Sequence, residues 1–502
     1  MPEAAWRLRR PAPRGSHERL CLADIRRSFL LSFAQRYAAL AIQMVAMVVL
    51  ARLLTPAQFG TFAVASALVT LTTVLQDFGV GNYLVKESDL DRSKLATAYS
   101  VAFLTAWPLG LAVFAASDAA AAWYGNPQLG AVIATLSLTF FAMPFGTPAL
   151  AMMRRDMQFG RLCALGIAAA AATAVTSLAL ALAGRGAISL AWGLVAGAGV
   201  TAVGAHLLRP GLLLLRPGFG HWREVLGFGG QATAISVLGE IGSQAPSILA
   251  GRLLGFDAAG LLHRATSTVH LYRKGILDGL MPVVLPTFSQ RVRSGQSVAA
   301  LYLQGISYLT CIAWPFAAAL VFLADPLVRL LFGSQWLEAV PLVQILATIA
   351  ATSPLLRLNR AVFVASGHIA TNLRIELIIQ PLRLALVVYA CFQDLLTLAV
   401  ALTLPPILNS ILSQILLQRI LAYDARDFAR RLFASLLISV IAAIPPACTV
   451  LAFGWHPQSP ILALLAGGLG GGCAWLAAVI ALDHPVRREI SALWARRPLR
   501  AI

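Results

Sequence analysis

Charge is scarce in this chain. Only 12% of its 502 residues are Asp, Glu, Lys or Arg, roughly half the share in ordinary soluble domains, which argues against a water-soluble globule. Cysteine is nearly absent. The six cysteines (Cys21, Cys163, Cys311, Cys391, Cys448 and Cys473) include no Cys-x-x-Cys and no histidine at zinc-ligand spacing. A metal or disulfide framework is therefore not expected, and these residues read as small apolar packing groups. No Gly-x-x-x-x-Gly-Lys-Ser/Thr loop is present, so ATP is not used directly. Asp77-Phe78-Gly79 spells the metal-binding triplet of kinases, but no glycine-rich phosphate loop, catalytic-loop triplet or soluble lobe accompanies it. It reads as a helix end at the cytoplasmic surface. The basic, proline-containing stretch 1–27 lacks an apolar core followed by a small-residue cleavage site, so the expectation is a flexible cytosolic lead and not a cleaved signal peptide.

What is abundant is apolar sequence. Hydrophobic types make up 59% of the chain. Runs of about 20 apolar residues, enough to cross the roughly 30 Å hydrocarbon core of a bilayer, recur throughout. They predict about fourteen membrane helices: 28–50, 61–81, 95–117, 128–150, 163–183, 187–208, 225–250, 259–289, 297–324, 336–356, 372–391, 396–418, 432–452 and 459–482. The net charge of +18 invites a nucleic-acid reading, but its placement argues against one. With the N-terminus taken as cytoplasmic, the external segments hold four basic residues, Arg52, Arg185, Arg252 and Arg329. Most of the remaining Lys and Arg fall in cytoplasmic segments, including a basic tail at 483–502. That asymmetry sets orientation and suits contact with anionic membrane lipid. Both termini are expected in the cytoplasm, and no nucleic-acid partner is expected.

Two stretches 200 positions apart read almost alike. Arg52-Leu53-Leu54 precedes Gly60, and Arg252-Leu253-Leu254 precedes Gly260. A second echo, at an offset of 208, links Trp123-Tyr124-Gly125-Asn126 with Leu331-Phe332-Gly333-Ser334. Six helices in each half start both halves on the same side, so the halves are expected to be parallel repeats. The predicted organisation is an all-α polytopic protein. Its parts are a basic N-terminus (1–27), a six-helix bundle (28–208), a Pro/Gly/Arg linker (209–224), a second six-helix bundle (225–418), two extra helices (419–482) and the basic tail. No segment between helices is long enough for a soluble catalytic domain, so the chain is not expected to be an enzyme.

Several stretches resemble a known family. They are Ala51-Arg-Leu-Leu-Thr-Pro-Ala-Gln-Phe-Gly60, Leu75-Gln-Asp-Phe-Gly79, Met153-Arg-Arg-Asp-Met-Gln-Phe159, Gly251-Arg-Leu-Leu through Gly260 to Arg264-Ala265 with Leu285-Pro-Thr-Phe288, and Phe332-Gly-Ser-Gln-Trp336. In order and spacing they resemble polysaccharide-transport flippases of the multidrug/oligosaccharidyl-lipid/polysaccharide exporter superfamily. The resemblance covers roughly residues 25 to 420. It implies two helical bundles around a central cavity in the bacterial inner membrane. It also implies translocation of undecaprenyl-diphosphate-linked oligosaccharides from the cytoplasmic to the periplasmic leaflet for lipopolysaccharide, capsule or exopolysaccharide assembly. A polysaccharide polymerase and a chain-length regulator are possible partners on this reading. Rival readings are a peptidoglycan-precursor flippase, a drug/cation antiporter and a membrane glycan polymerase.

Charges inside hydrocarbon are costly, by about 2.5 kcal/mol or more at a helix centre on insertion scales, so those that occur mark candidate sites. Arg36 lies in the first segment with Ser28, Ser32 and Gln43 near one face. The seventh carries Ser236, Glu240, Ser243, Gln244 and Ser247 at helical spacing. The eighth carries His263, Thr266, His270, Arg273 and Lys274, then Asp278. The eleventh carries Asn372, Glu376, Gln380 and Arg383 at steps of four, four and three. Arginine presents a fork of donors to phosphate oxygens and lysine a point charge. Arg36, His270, Arg273, Lys274 and Arg383 are therefore the expected contacts for a diphosphate. Asp77, Glu240 and Asp278 are the candidates for coupling to an ion such as a proton. Internal ion pairs and helix-packing seams are the structural alternatives for each. No cofactor and no metal site is expected.

Overall fold

The computed structural model describes the backbone from Leu22 to Trp494, outside 78–79, 81–83, 85–86, 88–89, 157, 210–217, 219, 221, 273–286, 289, 293, 295–296 and 458. It describes side chains from Tyr37 onward, outside those residues and also 77, 223–236, 238, 271–272, 490 and 492–494. Everything regular among the described residues is helical. We number the helices α1 (Leu22–Leu53), α2 (Pro56–Asp77), α3 (Arg92–Ala115), α4 (Ser117–Tyr124), α5 (Pro127–Arg155), α6 (Phe159–Leu182), α7 (Ile188–Leu208), α8 (Trp222–Leu253), α9 (Phe256–Tyr272), α10 (Ala299–Phe332), α11 (Val340–Ala365), α12 (Ile369–Cys391), α13 (Leu395–Leu421), α14 (Ala425–Phe453), α15 (Pro460–Ala481) and α16 (Val486–Trp494). All but the short α4 and α16 fall on the fourteen segments expected from hydropathy. Among the described residues, ten helices are long and apolar enough to cross a membrane. The fully described α12 is not among them, because Arg374, Glu376 and Arg383 interrupt it.

Helix ends are set by local chemistry. Thr55 and Gln58 close a reciprocal capping box at the start of α2: the Thr55 N–H donates to Gln58 Oε1 at 3.1 Å, and the Gln58 N–H donates to Thr55 Oγ1 at 3.4 Å. The Thr-Pro-Ala-Gln stretch is thus explained as a helix start. Asp91, Asn126, Asp394 and Asp424 cap α3, α5, α13 and α14 through their side chains, filling donors that no carbonyl can reach.

Contacts divide the chain into two compact units, Met1–Arg252 and Leu253–Ile502. In the first, α6 packs along α7, α5 on α7 and α3, and α1 on α6. The α6–α7 seam is close because Gly193 and Gly197 face it: a Cβ at Gly193 would lie 1.9 Å from Ser177 Oγ, and one at Gly197 2.2 Å from Thr173 Oγ1. Small residues of this kind let membrane helices approach each other. The end of α8 joins this unit. Tyr124 donates to the Ile248 carbonyl at 3.0 Å, Arg252 lies over the Trp123 ring at 5.7 Å, and a Cβ at Gly251 would sit 2.3 Å from Val64 Cγ2. Contact thus groups α8, which was expected to open the second bundle, with the first unit.

In the second unit α10 is the central helix and packs against α11, α14 and α15, while α11 and α12 both pack on α13. The last helices are fastened to α10 by polar contacts: Thr310 to Ser435 at 2.9 Å, Trp475 Nε1 to the Cys311 carbonyl at 2.8 Å, and Ser307 to His484 at 2.9 Å. His484 lies in the turn after α15 and is buried. Burial, aided by the nearby charge of Arg431, holds its pKa below the ordinary histidine value. An unfolded chain therefore takes up this proton at a higher pH than the folded one does. The contact contributes fully above about pH 6.5 and is lost as pH falls below that value. Thermal unfolding in detergent should show a larger loss of stability between pH 7.5 and 5.5 for the wild type than for His484→Gln. Equal losses would show that His484 is not the titrating group.

Candidate functional site

A helix crossing hydrocarbon satisfies its own backbone, so its polar side chains must find partners on neighbouring helices or in water. On α12 the steps of four, four and three place Glu376, Gln380 and Arg383 along one side. Gln380 Nε2 donates to Glu376 Oε2 at 2.8 Å. The other carboxylate oxygen accepts from Asn409 Nδ2 of α13 at 3.3 Å, and Asn409 Oδ1 accepts from Ser413 at 3.1 Å. Arg383 lies within the field of Glu376 but forms no ion pair with it, and its buried Nε has no acceptor. The buried Gln380 Oε1 likewise has no donor. Pro381 sits between them and removes one backbone hydrogen bond from the helix. Arg383 is roughly 21 Å along the axis from Ile369 and roughly 12 Å from Cys391 at about 1.5 Å per residue. The result is a half-buried guanidinium well inside α12, in the field of a carboxylate that does not neutralise it by contact. Unfilled buried donors of this kind call for an explanation. An anion that accepts from the guanidinium supplies one.

The other expected residues fall as follows. Glu240 lies on α8 in the first unit. Gln244 Nε2 donates to its Oε1 at 2.6 Å, and Ser243 Oγ to its carbonyl at 3.0 Å, so Glu240 and Gln244 share one side of that helix. His270 is half-buried near the end of α9. Arg36 and Asp77 lie in α1 and α2, with side chains outside the described residues. Arg273, Lys274 and Asp278 lie outside the described residues altogether. The structure thus brings Arg383, Glu376 and Gln380 together. It leaves Arg383 and Glu240 in different units.

Two features escaped the sequence reading. One is the α13 contribution, although Asn409 and Ser413 stand four apart in an apolar run and carried the signal. The other is a polar network one turn further on. The Tyr302 hydroxyl lies 2.7 Å from Asn359 Oδ1 and 2.8 Å from Gln414 Oε1, sharing its one proton between them, and Tyr423 donates to Gln414 Oε1 at 3.0 Å. This joins α10, α11 and α13 to the turn before α14.

The family-like stretches prove to be mutual struts. Arg264 is buried, with its guanidinium 4.7 Å from the Phe332 ring centre and 4.8 Å from that of Trp336. Arg155 donates to the carbonyls of Leu84, at 3.0 Å, and Glu87, which lie between α2 and α3 in the chain.

These features define a polytopic α-helical membrane protein, and its fold is shared with known transporters. It aligns with the lipid II flippase MurJ in an inward closed conformation at a TM-score of 0.70 and 13% identity, over 90% of this chain and 99% of that one. It aligns with an inward-facing multidrug resistance MATE transporter of the MOP superfamily at a TM-score of 0.56 and 13% identity, over 78% of this chain and 98% of that one. A model of the family described as polysaccharide biosynthesis protein matches residues 49–341, more than half of the chain, and the chain belongs to that family. It is 24% identical over 311 residues to the lipopolysaccharide biosynthesis protein WzxC of Escherichia coli K12, covering 61% of this chain and 63% of that protein. It is 24% identical over 299 residues to the succinoglycan biosynthesis transport protein ExoT of Rhizobium meliloti, covering 60% of each. It is 21% identical over 345 residues to the teichuronic acid biosynthesis protein TuaB of Bacillus subtilis, covering 65% of this chain and 68% of that protein. The match to WzxC and to ExoT thus spans under two thirds of their length.

The α12–α13 cluster generates a test. Glu376→Ala strands the donors of Gln380 and Asn409 and removes the counter-charge of Arg383. It should cost about 1–3 kcal/mol in mixed-micelle unfolding. In an Arg383→Met background the cost should be smaller by about 0.5 kcal/mol or more. Strictly additive costs would show that the two residues are not coupled.

Proposed function

We propose that this protein is a flippase that carries undecaprenyl-diphosphate-linked oligosaccharide repeat units from the cytoplasmic to the periplasmic leaflet of the bacterial inner membrane, for synthesis of an exopolysaccharide, capsule or O-antigen. The observation that carries this reading is the family match over residues 49–341, and the relatives named for polysaccharide synthesis and transport support it. The protein acts as a transporter and not as an enzyme. In this reading the transport cycle is one of alternating access. The positive-inside pattern supports a cytoplasmic position for both termini.

The diphosphate is the charged part of the cargo. Arg383, held half-buried with an unfilled Nε, meets its oxygens, and Arg36, His270, Arg273 and Lys274 are the further cations assigned to it on their sequence positions. Asp77, Glu240 and Asp278 couple the cycle to an ion gradient. A polysaccharide polymerase and a chain-length regulator take the product onward, and anionic lipid surrounds the basic cytoplasmic face. A cationic wall repels cationic drugs, which disfavours the antiporter reading. The likeness to a lipid II flippase concerns the fold, at 13% identity.

In a strain lacking the gene, surface polysaccharide should be lost and lipid-linked repeat units should accumulate, and the wild-type gene should restore export. Arg383→Gln, present in the membrane at the normal level, should restore at least about tenfold less, in line with the loss of one well-placed charge-assisted contact. Undiminished polysaccharide in the deletion strain would contradict the function, and full restoration by Arg383→Gln would contradict the assigned site.

A further inference from the structure

The end of the second unit where α13 stops and α14 and α16 begin is crowded with arginine. Arg419 lies in the last turn of α13. Arg426, Arg430 and Arg431 lie in the first turns of α14, and Arg487 and Arg488 open α16. Two of these are engaged: Arg431 with Asp427 at 3.1 Å and Arg487 with Asp483 at 3.0 Å. The other four, Arg419, Arg426, Arg430 and Arg488, are exposed. They pair with no carboxylate among the described residues.

These turns belong to one surface. Ser307 and Tyr308 of α10 hold His484 at 2.9 Å and Glu489 at 3.2 Å, which docks the start of α16. The charge of Arg431 reaches His484, so the start of α14 adjoins the same turn. The Tyr423 and Phe428 rings, 5.6 Å apart, close the connection between α13 and α14. Within two turns the exposed residues of α14 change character: beyond Arg430 come Phe433, 66% exposed, and Leu436, 49% exposed. A surface that takes a soluble polyanion has no use for large apolar groups directly beside its arginines. A surface at the level where phosphate headgroups give way to acyl chains needs both.

We propose that this end of the second unit binds the headgroup of an anionic phospholipid, with Arg426, Arg430 and Arg488 on the phosphate oxygens and Phe433 and Leu436 against the acyl chains. The proposal rests on the membrane reading of α14 and is independent of which glycan is carried. Arginine forks suit phosphate oxygens, and each basic residue near an anionic surface contributes about fivefold in affinity.

The test uses the full chain purified in detergent, without glycan substrate. Retained lipid is counted by native mass spectrometry after exposure to dioleoyl phosphatidylglycerol or dioleoyl phosphatidylcholine. The wild type should retain the anionic lipid in clear preference. The triple variant Arg426→Gln/Arg430→Gln/Arg488→Gln should retain it at least about tenfold less, with phosphatidylcholine unchanged, and the corresponding triple Lys variant should keep most of the preference. Undiminished retention by the Gln variant would overturn the proposal. So would thermal stabilisation by sodium pyrophosphate that equals that by phosphatidylglycerol and is lost in the Gln variant, which would make this a soluble-anion site. Because no transport is measured, failure here leaves the flippase reading standing, and failure of transport leaves this site standing.

Discussion

A charge in hydrocarbon persists only if something holds it, and that constraint organises this protein. Most of its long helices obey the constraint by carrying almost no charge, and their seams close through glycine and alanine, as where Gly193 and Gly197 meet Ser177 and Thr173. The helix α12 breaks the pattern in a controlled way. Glu376 is fixed by Gln380 and by Asn409 of the next helix, and Arg383 stays near that carboxylate without contact. A contact pair would be electrostatically closed. A separated pair leaves the guanidinium with an unfilled donor and a bias toward anions, which is the property a diphosphate carrier needs.

The recurring sequence stretches do a different job. Thr55 and Gln58 start a helix, Arg155 binds the Leu84 carbonyl, and Arg264 lies against the rings of Phe332 and Trp336. They fix helix ends and the segments between helices. The proposed substrate contacts sit elsewhere, on helix interiors whose signature is a few polar residues at helical spacing.

That difference explains what could be read from the sequence. Apolar runs located the ten described helices long and apolar enough to cross a membrane, because crossing length and hydropathy are properties of one segment alone. The spacing of Glu376, Gln380 and Arg383 announced a shared side for the same reason. The partner helix was not legible: nothing in the α12 sequence says that Asn409 of α13 is the group facing Glu376, or that Tyr302, Asn359 and Gln414 meet. Those juxtapositions depend on which helices pack together, and in a membrane the uniform apolarity of helix faces removes the pattern that would reveal it. The grouping of α8 with the first unit was hidden likewise, since it turns on Tyr124 reaching the Ile248 carbonyl.

The central claim is that a guanidinium held in the middle of α12 recognises the anionic head of the cargo. Its most direct test is equilibrium binding of two glycolipids to the purified protein, identical in polyprenyl chain and sugar, one joined through a diphosphate and the other through a neutral linker. The diphosphate lipid should bind at least about tenfold tighter, and that preference should vanish in Arg383→Gln while binding of the neutral lipid is unchanged. Equal affinity for the two lipids, or a preference that survives in Arg383→Gln, would contradict the claim.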